Sequence, residues 1–118
     1  MRISLTPHTT AAIRSFTVYL KRPIDYDAFE YWLFPLLWER RIGDYNLPSD
    51  DLLLRIKGVV ALSRDTKTGP YALQVVQDKY DLELLTNWTL GDSAVIFIGR
   101  IEEATENILK ASILRLCK

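Results

Sequence analysis

The chain is poor in the residues that metal and disulfide chemistry require. Its 118 residues include one cysteine, Cys117, and one histidine, His8. A lone cysteine excludes an internal disulfide and fits a reducing compartment. Structural zinc needs three or four ligands drawn from Cys, His and carboxylate, and the two best donors here stand at opposite ends of the chain. The same shortage removes any Ser-His or Cys-His nucleophilic pair. Glycine is scarce and scattered, with five in the chain and no GxxxxGK[ST] or GxGxxG pattern. A phosphate loop, which needs several closely spaced glycines to aim backbone N–H groups at one anion, is therefore not expected. Charge of one sign is missing too: fifteen basic and fifteen acidic side chains cancel, so the electrostatic footprint of a nucleic-acid binder is absent. No apolar run approaches the ~20 residues that cross a bilayer, and the start of the chain has no apolar signal-peptide core. These absences point away from membrane and nucleic acid and towards a cytoplasmic domain.

What is present reads as one α+β domain. Residues 1–12 are polar and threonine-rich and read as a tail or the end of a linker; 13–118 form the domain. "IRSFTVYL" (Ile13–Leu20) alternates as a half-buried strand does. In "IDYDAFEYWLFPLLWERR", Asp25 is placed to cap a helix, and Ile24 and Phe29 stand at hydrophobic-staple positions. Phe29, Trp32, Leu33, Leu36 and Leu37 then recur at helical spacing. Pro35 lacks an N–H and predicts a kink or an early end. "RIGDYNLPSDD" reads as a loop. "LLLRIKGVVALS" (Leu52–Ser63) is a long strand and "RDTKTGP" a turn. "YALQVVQ" with "KYDLELL" makes one strand, or two joined by a bulge near Asp78. The nearly all-apolar "AVIFIG" suits a strand covered on both faces or central in the sheet. The last helix carries Ile101, Thr105, Ile108, Leu109, Ser112 and Leu116 on one stripe, with an acidic first turn and a basic last turn. The order β-α-β-β-β-α predicts a two-layer sandwich: a four-stranded, mainly antiparallel sheet covered by two helices.

Candidate contact residues follow from the same pattern. Arg55 and Lys57 project from one face of their strand; the plain reading is a solvated sheet face, the sharper one a basic surface that docks another domain. Arg100, after Gly99, is either a solvated strand end or an anion ligand at the start of the last helix. Gly58 and Gly99 read as backbone requirements, where an added Cβ would clash or a positive φ is needed. On the first helix, Tyr31, Phe34 and Trp38 fall nearly opposite the core stripe. They are either covered by the following loop or form a docking face, since aromatic residues are enriched at interface cores. No catalytic, cofactor-binding or metal-binding residue emerges.

The motifs together resemble a known family. "LLLRIKGVVAL" holds an R-x-K-G element at Arg55–Gly58; "LQVVQDKYDLE" holds a Q-x-V element at Gln74–Val76; "TNWTLGDS" places Trp88 in a loop; "AVIFIGR" (Ile96–Arg100 within it) precedes the closing helix. This series is similar to the C-terminal domain of the CobW family of GTP-dependent metal chaperones, including the eukaryotic zinc-regulated GTPase metalloprotein activators. The resemblance covers about Ile13 to Leu116 and extends to "IRSFTVYLKRPIDYDAFEYWL". It implies an accessory domain that docks to a GTPase domain, another subunit or a client metalloprotein, with self-association also open. It gives Trp88 a structural part alongside Gly58 and Gly99. GTP, magnesium and zinc or another divalent metal would belong to the full-length family protein, whose GTPase domain and metal-binding cysteines lie outside these residues. The alternative is a free-standing protein-interaction or small-ligand-binding module with the same sandwich.

Overall fold

The computed structural model describes residues 12–86 and 93–117. His8, in the stretch read as a tail, and Trp88, in the loop before the last strand, lie outside the described residues. The elements run β1 (Arg14–Leu20), β2 (Ile24–Asp25), α1 (Tyr26–Glu39), β3 (Arg41–Ile42), β4 (Tyr45–Asn46), β5 (Leu52–Arg64), β6 (Lys67–Val76), β7 (Lys79–Leu84), β8 (Ser93–Arg100) and α2 (Glu103–Arg115).

The main sheet has six strands, not the four expected. Its order is β1-β8-β5-β6-β7, antiparallel throughout, with β2 added in parallel to β5. Two features account for the difference. The segment around Asp78 is not a bulge: Val76 pairs with Lys79, and Gln77 takes a left-handed conformation at φ 58°, so the chain reverses in a tight hairpin. The other addition, Ile24–Asp25, pairs with Leu62 and Ser63 and is too short to show any periodicity. The "RDTKTGP" turn is likewise tighter than expected, because Arg64 pairs with Lys67 and Asp65 alone is left-handed. The expected "RIGDYNLPSDD" loop contains a second small sheet, β3 with β4, turning at Gly43 with φ 58°.

Helix α1 begins as its sequence dictates, with the Asp25 carboxylate accepting from the Ala28 N–H at 3.0 Å. It does not end at Pro35. It continues to Glu39, where left-handed Arg40 donates its N–H to the Pro35 carbonyl. The carbonyl that proline leaves without a donor belongs to Tyr31, a residue 83% exposed, where water can take its place. Both helices cover the same sheet face. Phe29 and Leu33 of α1 and Leu109 and Ile113 of α2 are fully buried against Phe97, Val95, Ile56 and Val60 of the sheet.

Strand β8 lies between β1 and β5, so of its two expected settings it takes the central one. Its inner residues Val95 and Phe97 are buried, whereas Ile96 on the outer face is exposed. The two key glycines allow β5 and β8 to approach closely. A Cβ on Gly58 would overlap the Ala94 carbonyl oxygen and sit 2.8 Å from Val95 Cα; one on Gly99 would overlap the Leu52 carbonyl oxygen. Neither has a positive φ, so of the two reasons expected for these glycines the steric one holds. The register between the two strands shifts once, between Leu53 and Arg55.

Candidate functional site

The strand-to-helix junction after Gly99 is closed from within. Helix α2 has no side-chain cap of its own at Glu102. Instead the buried Asp51 carboxylate accepts from the Glu102 N–H at 3.2 Å and from the Thr105 hydroxyl at 2.5 Å. Tyr45 shares a hydrogen bond with the same Thr105 hydroxyl at 2.7 Å. A helix start favours an anion, and here the chain supplies it. Arg100 is exposed at the end of β8, paired through its backbone with Leu52.

Arg55 and Lys57 are exposed on the outer face of the sheet, the face without helices. Arg55 lies between Val76 and Ile98 and Lys57 between Gln74 and Ile96. The basic pair therefore sits within a mixed apolar and polar surface, as an antiparallel sheet with one open side permits.

The aromatic residues of α1 form a separate site on the other side of the molecule. Asp27, Glu30, Tyr31, Phe34, Pro35, Trp38 and Glu39 recur along one helix face and, with Arg41, line a groove of about 440 Å³. Trp38 is 55% exposed and Phe34 half-buried. Of the two readings, cover by the loop after α1 or an open face, the loop contributes Arg41 to the lining and turns its Ile42 and Leu47 into the core. The β6–β7 hairpin approaches instead. The Trp38 indole N–H donates to the Asp78 carbonyl at 3.0 Å. Phe34 stacks on Trp38 with centroids 4.7 Å apart, and Tyr80 packs against Phe34 at 5.3 Å and Trp38 at 6.3 Å. Burial, and after it the neighbouring Glu30 carboxylate, raise the Tyr80 hydroxyl above its usual range.

The structure thus brings Tyr31, Phe34 and Trp38 together, but places Arg55 with Lys57, and Arg100, elsewhere. Tyr80, Glu30 and Asp51 were not anticipated. Tyr80 meets α1 fifty positions from Glu30, and nothing in a strand-like "KYDLELL" signals that contact. Among the described residues no three His, Cys, Asp or Glu side chains are grouped to hold a metal. Cys117, half-buried, packs against the core and bridges to Ile24. No helix among the described residues is long and apolar enough to cross a membrane.

An antiparallel sheet with two helices on one face and exposed patches on both sides defines an α+β domain built around its surfaces. The chain belongs to the family of the cobalamin synthesis protein cobW C-terminal domain, whose family model matches residues 13–116. Two solved structures share its fold. The zinc-bound YjiA GTPase from E. coli is 28% identical with a TM-score of 0.65, the match covering 100% of this chain and 34% of that one. A zinc-bound triple mutant of YjiA is 30% identical with a TM-score of 0.64, over 90% of this chain and 30% of that one. The chain therefore spans about a third of the length of these GTPases, and the rest of them lies outside it. Curated protein sequences give no match.

Proposed function

We propose that this domain is the accessory C-terminal part of a cytoplasmic, GTP-dependent metal chaperone of the zinc or cobalt type. It docks to the GTPase domain, to another subunit or to a client metalloprotein, and performs no catalysis itself. The observation that carries this reading is the match over 13–116 to a domain that makes up only about a third of a zinc-bound GTPase. Nucleotide, magnesium and metal chemistry belong to the GTPase part, because this chain has neither the glycine pattern of a phosphate loop nor, among its described residues, a metal-ligand cluster. The exposed groove on α1 and the open face of the sheet are the surfaces available for docking.

The test is to mix the chain with its GTPase domain, loaded with GDP or with a non-hydrolysable GTP analogue, and to measure binding in each state. Association whose affinity differs between the two states is expected. No association in either state, or GTP hydrolysis by this chain alone, overturns the reading.

A further inference from the structure

The groove on α1 has a composition that selects its occupant. Three carboxylates, Asp27, Glu30 and Glu39, share its lining with one cation, Arg41. Arg41 is already engaged, with its guanidinium 2.6 Å from Glu39. Glu30 has no Lys or Arg within ion-pair distance among the described residues; the Tyr80 hydroxyl donates to it over a long 3.5 Å. The remaining wall is aromatic and apolar, from Tyr31, Phe34, Pro35 and Trp38. Ring faces carry negative electrostatic potential and attract a cation lying over them. A carboxylate beside stacked rings is thus a receptor for a positively charged group with an apolar neighbour.

The domain displays this arrangement with its own residues at the start of the same helix. The Arg64 guanidinium lies 4.2 Å from the Tyr26 ring centroid and 3.7 Å from the Asp27 carboxylate. One turn further on, Glu30 lines the groove with Phe34, and Trp38 a turn beyond that; among the described residues no cation is paired with Glu30. The groove's 440 Å³ falls within the range of sites that hold small ligands or a few side chains.

We propose that the α1 groove docks an extended segment of a partner protein that presents an arginine or lysine beside an apolar residue, the cation seated beside the Glu30 carboxylate at the edge of the groove's aromatic wall. The apolar neighbour packs on Tyr31 and Pro35. Charge complementarity sets orientation and specificity, and the rings supply desolvated contact area. Nucleotide-dependent association tests the family-based reading separately, so failure of one leaves the other standing.

The experiment is a nuclear magnetic resonance titration of the isotopically labelled 118-residue chain with two synthetic peptides. One alternates arginine with leucine; the other replaces each arginine by citrulline, which keeps the shape and removes the charge. The arginine peptide is expected to shift the Trp38 indole N–H and the amides of residues 27–41, to saturate below about 1 mM, and to weaken as salt is raised. Glu30→Gln, which preserves size, is expected to weaken that binding by about tenfold with the melting temperature unchanged. Four results overturn the proposal: equal binding of the citrulline peptide, shifts confined to the Arg55–Lys57 face, no saturation with either peptide, or binding that survives Glu30→Gln at full strength.

Discussion

The indole N–H of Trp32 donates to the Ser112 hydroxyl at 2.7 Å in the buried layer between the two helices. Ser112 in turn donates to the Leu109 carbonyl at 2.9 Å, so neither polar group is stranded in the core. The bond ties α1 to α2 across eighty positions of sequence, while the Trp32 ring meets Phe97 of β8 edge-on at 6.3 Å.

Removing the hydroxyl leaves a buried donor unpaired. Ser112→Ala is expected to cost about 1–3 kcal/mol, read as a lower denaturation midpoint at unchanged slope. Combined with Trp32→Phe, it should cost less than the two single changes added together, because the orphaned donor is then gone. Additive losses in that cycle sink the claim that the bond joins the helices.

A second expectation concerns the close approach of β5 and β8. A Cβ at Gly58 or Gly99 would meet backbone atoms of the neighbouring strand, which cannot swing aside as a side chain can. Gly58→Ala and Gly99→Ala should each destabilise by about 1–3 kcal/mol or more, measured by thermal melting without any ligand. Gly43 makes a useful contrast. Nothing lies within 4 Å of a Cβ there, yet its φ is +58°, so Gly43→Ala loses stability through backbone strain.

Local signals were legible: Asp25 caps α1, Ile24 and Phe29 are both fully buried, and α2 buries Thr105, Leu109 and Ser112. Pairings set by the tertiary fold were not. Asp51 lay in a stretch that reads only as loop, yet it caps a helix about fifty positions away. Ile24–Asp25 joins the sheet through two residues, below any periodic signal. At the groove, helical spacing alone put Tyr31, Phe34 and Trp38 on one side. Tyr80 and the Asp78 carbonyl arrive there by the β6–β7 reversal, a turn marked by no glycine and no proline.

The acid limb of stability should report on Glu106. Its hydrogen bond to Lys110 first, and the nearby positive charges of Lys110 and Arg14, hold its carboxyl below the usual range despite burial. Lys110 is 2.8 Å and Arg14 2.6 Å from its two oxygens, so the group ties β1 to α2. Folding lowers this pKa. The stabilisation is therefore complete above the ordinary carboxylate range, and it disappears as pH falls through Glu106's depressed value. Glu106→Gln should lower stability at neutral pH and flatten its loss on acidification. Parallel pH–stability curves for the two proteins would refute this.

Zinc gives a further check. With one histidine and one cysteine in the chain, calorimetric titration of the reduced protein should show only weak, carboxylate-like binding. A submicromolar, stoichiometric site on the monomer would contradict the assignment of metal chemistry to the GTPase part.

The last expectation separates Trp38 from Phe34, which adjoin in the groove but differ in burial. Trp38 is 55% exposed, and its polar tip holds the Asp78 carbonyl. Phe34 is half-buried, packs against the core, stacks on Trp38 and lies tilted against Tyr80. Trp38→Ser should therefore weaken partner association and, through loss of the stack on Phe34 and the bond to Asp78, cost the fold about 1–2 kcal/mol. Phe34→Ser, by contrast, puts a hydroxyl where a ring packed. Part of its effect must be on stability, of the order of 2–3 kcal/mol. The double substitution should bind weakly and melt earlier, with the larger share of the melting change coming from Phe34 and a total below the sum of the single changes, because the two rings touch. Thermal melts and binding isotherms of the three variants against the GTPase domain make the separation. If Trp38→Ser alone unfolds the domain, the indole belongs to the core and the groove is not a docking face. If Trp38→Ser leaves both stability and association untouched, the partner lies elsewhere, and the Arg55–Lys57 side of the sheet becomes the surface to mutate.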